Sequence, residues 1–350
     1  LLLLLLLLLL FFNFCVARNN FFADFCSSKF MFAVIFSHFF VLKNVFIFSF
    51  LVLSCDINLG CFFFRDPTPN DRVGSLEDFG KQEVSDSIIR FLVITDLHFG
   101  SDKKRAESKL FESVSKLQYQ QDFIFLLGDL VEVGDKKYYK QCEAFVAKLS
   151  KSFSNAGFSV PKIFSLIGNH DLYQKGFENW TSLNFNQSKG KTFYKFHTNI
   201  YSSGKTFTRS WYFLDTASGT LGKDQLDQLQ TKLTHDKNPK IVFSHYPMNT
   251  EDTSSFMIFK LSDSREVSIL IDLFDKTNVD AMISGHYHYG GGYEYGSFFE
   301  LCLPSFIQNG DDKSSWCYFE LDELNGKMKV EQHVILGSKH TVQKRQFSFE

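Results

Sequence analysis

The sequence predicts an α/β fold, and three observations predict it. Short apolar runs read as buried strands, amphipathic helical patterns stand between them, and each run leads directly into a small motif of Asp, Asn and His. Strands covered on both faces give such unbroken apolar runs, and strand C-terminal ends are where open α/β sheets form ligand crevices.

The runs are residues 88–94, 123–127, 163–167, 241–243 and 279–283. Helical spacing is carried first by Ala106, Leu110, Val114 and Leu117, then by Tyr138, Cys142, Phe145, Val146 and Leu149. It returns at Leu226, Leu229 and Leu233, and again at Val267, Leu270, Ile271 and Phe274. Alternation near 316–321 and 328–335 predicts antiparallel strands that complete a second sheet. The basic stretch Lys103-Lys104-Arg105 reads as a solvated first helical turn.

Five motifs follow the runs: Asp96-Leu97-His98, Gly128-Asp129, Gly168-Asn169-His170-Asp171, Ser244-His245 and Gly285-His286-Tyr287-His288. They contain five of the ten histidines and no cysteine, a mixed N/O donor set that suits Zn, Mn or Fe and excludes a cysteine zinc finger. Two divalent ions about 3.5–4 Å apart need a bridging donor, which a carboxylate supplies best, and Asp129 is the expected bridge. Asp96, His98 and one histidine of the last motif then serve the first ion, and Asn169, His245 and the other serve the second. His170, beside the Gly168 turn, is expected to protonate a leaving oxygen, oriented by Asp171.

This ordered set resembles the calcineurin-like metallophosphoesterase superfamily, whose signature D-x-H, G-D, G-N-H-[D/E], H, G-H-x-H is matched at all five stations, over residues 88–335. The resemblance implies a four-layer αββα sandwich of two mixed β-sheets flanked by helices. It further implies hydrolysis of phosphomonoesters or phosphodiesters at two divalent metal ions (Mn, Fe or Zn), by attack of a metal-bridging hydroxide. Asp96, His98, Asp129 and His288 would serve one ion, Asp129, Asn169, His245 and His286 the other, and His170 would take the acid role. Purple acid phosphatases carry a tyrosine three residues after the bridging aspartate; Glu132 stands there, so no purple chromophore is expected. Scaffold members that have lost catalysis typically lack the histidine of G-N-H, which is present as His170. A nuclease or cyclic-nucleotide phosphodiesterase, and a non-catalytic metal-stabilised interaction module, are the alternatives.

A net charge of −2 without a basic tract argues against extended nucleic-acid binding, although a short active-site groove can still accept a nucleotide; the resemblance implies a small phosphorylated substrate. Residues 1–55 read as an N-terminal extension followed by a signal peptide or membrane anchor, with Met31 as the natural start. Val52-Leu53-Ser54-Cys55 resembles a lipobox, giving a membrane tether through Cys55 and an extracytoplasmic, membrane-associated or secreted location. Residues 56–87 are expected to be a linker, and 88–340 the catalytic domain. Cys302 and Cys317 are a plausible disulfide pair, and Cys142 a buried thiol. Tyr173, Trp180, Tyr246, Tyr287 and Tyr289 either wall a substrate or pack the loops, and Gly290-Gly291-Gly292 is a flap or a plain turn. His38, His197, His235, His333 and His340 match no motif and are expected to be ordinary surface or core histidines.

Overall fold

The computed structural model describes residues 68–202, 204–250 and 257–349. The expected leader and the Cys55 tether lie outside the described residues. No described helix is long and apolar enough to cross a membrane.

Unbroken apolar runs become strands because alternate side chains have different apolar partners. In β2 (Ile88–Ile94), Ile89, Phe91 and Val93 enter one apolar cluster while Leu92 and Ile94 enter another. The same two-residue period divides β3 (Phe123–Leu127), with Phe123, Phe125 and Leu127 on one side and Ile124 and Leu126 on the other. β4 (Lys162–Leu166) extends the parallel series β2-β3-β4. The tail adds β11 (Lys313–Asp322), β12 (Lys327–Leu336) and β13 (Lys339–Ser348), completing a six-stranded sheet in the order β13-β12-β11-β2-β3-β4.

The second sheet has seven strands. β1 (Glu77–Gln82), β5 (Tyr194–Ser202), β6 (Lys205–Phe213), β7 (Lys240–Phe243), β8 (Val279–Ser284), β9 (Gly291–Tyr295) and β10 (Phe298–Cys302) lie in the order β1-β5-β6-β7-β8-β10-β9. Between the sheets sits an aromatic core in which Phe125 packs against Trp211, Phe213 and Phe243 at ring separations of 5.8, 5.4 and 4.7 Å. Two helices, α2 (Glu107–Val114) and α3 (Lys136–Asn155), cover the outer face of the six-stranded sheet, and α4 (Gly176–Thr181) joins them. Covering the seven-stranded sheet are α5 (Lys223–His235) and α6 (Ser264–Lys276), beside the short α1 (Pro69–Arg72). Asp135 caps α3 by accepting from Lys137 N at 2.9 Å, and Asp263 caps α6 by accepting from Arg265 N at 2.8 Å. The architecture is the expected αββα sandwich.

Three expectations need correction. From residue 68 the expected linker is folded: β1 pairs in parallel with β5, and Arg72 makes a fully buried two-pronged contact with Asp215 at 2.8 and 3.1 Å. Its polar residues concealed a short strand on a sheet edge, where one side remains wet. At the other end the folded region runs past 340, because β13 continues to Ser348 as the polar edge of the six-stranded sheet. Cys302 and Cys317 are separate buried thiols in different sheets, and Cys302 Sγ donates to Gly285 O at 3.0 Å. Cys142 is also a buried free thiol, on the apolar face of α3.

Candidate metal centre

Each motif begins where a strand ends. β2, β3 and β4 of one sheet deliver Asp96, His98, Asp129, Asn169 and His170, whereas β7 and β8 of the other deliver His245, His286 and His288. The loops after β2 and β3 remain paired beyond their strands: Asp96 N donates to Gly128 O at 3.2 Å, and His98 N to Asp129 O at 2.9 Å. Asp96, His98, Asp129 and His286 all adopt positive φ, at 55, 45, 50 and 65°. Left-handed backbone at residues other than glycine costs on the order of 1–3 kcal/mol each and persists only where the surroundings enforce it.

The motif glycines are required by space. A Cβ on Gly168 would lie 2.2 Å from Asp129 Oδ1, and one on Gly285 would lie 1.9 Å from Thr95 Oγ1 and 2.8 Å from Asp96 Oδ2. Both carboxylates therefore rest directly on bare backbone.

Six of the seven expected donors fall in two groups linked by a third, and Asn169 stands beside them. Ligating atoms of Asp96, His98 and His288 fall within 4.8 Å of one another, as do those of Asp129, His245 and His286; His98, Asp129 and His170 form a third such group. Asp129 Oδ2 stands between the sets, 3.5 Å from His98 Nε2 and 3.3 Å from His245 Nε2. Asn169 Oδ1 is 3.1 Å from His245 Nε2. His288 Nε2 faces His98 Nε2 at 3.3 Å and Asp96 Oδ1 at 3.4 Å.

The donor set fits divalent cations. Backbone and side-chain acceptors occupy the outward nitrogen of three of the imidazoles: His98 Nδ1 faces Glu132 Oε2 at 3.0 Å, His245 Nδ1 faces Leu127 O at 2.7 Å, and His286 Nε2 faces Ile258 O at 2.8 Å. With a proton on that nitrogen, the other can present a lone pair, so in their neutral forms the imidazoles and the carboxylate oxygens converge as donors on one space. Asp96 Oδ1 is buried and makes no hydrogen bond of normal geometry among the described residues. Such an orphaned oxygen is costly unless a cation completes it.

The electrostatics agree. Burial works against ionising Asp96 and Asp129, yet the imidazoles around them win, holding Asp96 down at about 2 and Asp129 well below the carboxylate range. At His245 burial is the largest influence and disfavours protonation, but Asp129 outweighs it and raises the imidazole to about 9. That proton occupies the position a cation would take, and metal binding would expel it. His286 is pushed down to about 3 by burial and then by the His245 charge.

His170 is buried beside the donors, its ring centre 4.5 Å from that of His98. Its Nδ1 lies 2.8 Å from Glu132 O, and this carbonyl orients the ring. The expected orienter was Asp171, which the structure corrects: its carboxylate accepts from Leu130 N at 3.0 Å, Gly168 N at 2.9 Å and Tyr139 Oη at 3.3 Å. Asp171 ties the Gly168 turn to the Asp129 loop. Burial, followed by the nearby Asp129 charge, raises it to about 7.

Sequence reasoning missed Glu132, Thr95, Tyr139 and Arg105. Thr95 Oγ1 donates to Asp96 Oδ2 at 2.6 Å, and Arg105 Nη1 donates to Leu97 O and His98 O at 3.3 and 3.0 Å. Arg105 is thus no solvated charge; it packs over Phe99 and clamps the first motif from behind. Of the five aromatics that follow the motifs, Trp180 is fully buried, Tyr246 stacks on His286 at 3.7 Å, and the Tyr173 hydroxyl accepts from Asn169 Nδ2 at 3.1 Å. Tyr287 and Tyr289 contact each other at 5.5 Å, and Tyr289 is 52 % exposed at the rim.

Known proteins resemble this chain in sequence and in fold. A probable cyclic nucleotide phosphodiesterase of Fibrobacter succinogenes is 25 % identical over 210 residues, 57 % of this chain and 73 % of that protein. A crystal structure of a dimetal phosphatase from Danio rerio superposes with a TM-score of 0.53 at 14 % identity, covering 75 % of this chain and 99 % of that one. GAP50, described as the anchor in the inner membrane complex of Plasmodium, superposes with a TM-score of 0.55 at 16 % identity, covering 75 % and 89 %. Residues 89–290 match the family model described as calcineurin-like phosphoesterase, and the chain belongs to that family of phosphoric ester hydrolases.

Proposed function

We propose that the chain hydrolyses phosphomonoesters or phosphodiesters at a dinuclear centre. One ion would be held by Asp96, His98, Asp129 and His288, and the other by Asp129, Asn169, His245 and His286. The observation that carries this reading is the position of Asp129 Oδ2 between His98 Nε2 and His245 Nε2, at 3.5 and 3.3 Å, which suits a shared donor. When bound, the ions supply Lewis acidity toward phosphoryl oxygens and make a water nucleophilic near neutral pH.

The remaining work falls to the chain. Neutral Asn169 keeps the donor charge low, while Glu132 and the Leu127 carbonyl fix the tautomers of His98 and His245. His170 donates its Nδ1 proton to Glu132 O; in the imidazolium form its Nε2 proton can pass to the departing alkoxide. Replacing His170 with Gln should leave metal content intact and lower kcat about 10²–10⁴-fold. The loss should be smaller for a nitrophenyl ester, whose leaving group needs little protonation; equal losses for nitrophenyl and alkyl esters would remove the acid role.

A cyclic-nucleotide phosphodiesterase is the second reading, favoured by the Fibrobacter relative. Assays of an aryl monoester, an aryl diester and a 3′,5′-cyclic nucleotide, each with Mn, Fe and Zn, separate the two. Turnover of none of them would sink both.

A further inference from the structure

We infer that the β12–β13 hairpin carries a second, independent metal site, a pair of imidazoles from His333 and His340 that takes a borderline divalent ion of the Cu(II), Ni(II) or Zn(II) class. Neither residue belongs to a donor motif. The hairpin register sets His333 opposite Val342 and Ile335 opposite His340, so the two histidines are diagonal neighbours on one face. Nδ1 of His333 lies 3.0 Å from Nε2 of His340. At metal–nitrogen bonds of about 2.0–2.1 Å, two donors subtending about 90–110° stand about 2.9–3.4 Å apart. The nitrogens are therefore already spaced as adjacent ligands, and an ion that replaces the one proton between them needs only a rotation of the exposed His340 ring to meet both lone pairs.

The pair is also preorganised. His333 is 9 % exposed, with Trp316 stacked on it at 5.0 Å and 24° and Tyr318 edge-on at 5.3 Å and 77°. Its Nε2 is buried and has no hydrogen-bond partner among the described residues, which makes Nδ1 the nitrogen that can meet an incoming ion. His340 is exposed, and both rings line a cavity of about 790 Å³ beside α2. Glu331 stands two residues before His333 on the same face and is held in that cavity by Lys344. It can supply a third donor on release from the lysine. None of the catalytic donors lines this cavity. Two neutral nitrogens favour Cu(II) over Ni(II) and Zn(II) and exclude Mg(II) and Ca(II), and the nearby lysines make the site weaker than the motif centre.

Trp316 is a built-in reporter, because Cu(II) bound 5 to 6 Å from its ring, where His333 and His340 lie at 5.0 and 5.7 Å, quenches its fluorescence. The full chain, its motif centre first saturated with Cu(II), is titrated with further Cu(II) while tryptophan emission is followed. The expected result is a further saturable quench that excess Zn(II) reverses, that Trp316→Phe abolishes while the additional equivalent of Cu(II) remains bound in equilibrium dialysis, and that His340→Gln moves to at least about tenfold higher Cu(II). Exposure of His340 keeps that variant folded. A titration curve for His340→Gln that superimposes on the unaltered protein, a full quench in Trp316→Phe, or no saturable quench at all would reduce the pair to a hydrogen bond and overturn the inference.

Discussion

The space between the sheets and the loops at their ends follow opposite rules. Between the sheets, Phe91, Phe125, Trp211, Phe213 and Phe243 are fully buried, apolar and carried on regular strands. A few residues further along the same strands, Asp96, Asp129 and His245 are just as buried, yet they are polar, and two of the three sit on left-handed backbone. The first region gains free energy from every group it buries, at roughly 25 cal/mol per Å² of apolar surface. The second loses it through strain and desolvation, and recovers it through hydrogen bonds and, on the proposed reading, through the cations it would hold. The sandwich is stable enough to hold a site that would not assemble by itself.

Four substitutions would break or sharpen this contrast. Asp129→Asn strikes the donor common to both sets and should lower kcat/KM by more than about 10³-fold with loss of metal, since each ion supplies several kcal/mol of charge stabilisation. Elemental analysis showing full occupancy would contradict the shared position. On the apolar side, Phe125→Ala should cost about 3–5 kcal/mol of stability in denaturant unfolding, while folded protein keeps its metal content. Loss of metal at full foldedness would mean that the two regions are not separable. Next comes Glu132→Gln, which leaves His98 Nδ1 a weaker partner and should reduce metal affinity about 10–100-fold without unfolding; unchanged affinity in a chelator competition would remove Glu132 from the site.

The smallest effect is expected at Glu300, a buried carboxyl on β10 that accepts from Met248 N at 2.6 Å and Tyr295 Oη at 3.1 Å. Burial pushes it up from 4.5 to about 7. Between those values the folded chain keeps a proton that the unfolded chain releases, so stability falls as pH rises through this window, by at most about 1.4 kcal/mol per unit. Glu300→Gln should flatten that slope. A slope identical to that of the unaltered protein would show that another group carries it.

The donors were legible because motif chemistry is local: an Asp, Asn or His placed just past an apolar run carries its own signal. Their orienting partners were not. Glu132, Arg105 and Tyr139 act through contacts that exist only after β3, α2 and α3 have packed, and no spacing marks a backbone carbonyl such as Leu127 O as an imidazole partner. Asp171 shows the complementary failure, since adjacency in sequence suggested His170 while the fold turned its carboxylate to three backbone amides. Among strands, the buried runs were readable. β5 was not singled out although Tyr194, Phe196, Thr198 and Ile200 alternate inward, and the polar edge strands β1 and β13 offered no hydrophobic period at all.

Because one sheet supplies Asp96, His98 and Asn169 and the other supplies His245, His286 and His288, the two groups face each other like the jaws of a caliper. Asp129 rides on one jaw and reaches a histidine on each. The aromatic filling spans the gap with several rings in mutual contact, so the spacing of the jaws is shared among them and does not hang on any single side chain.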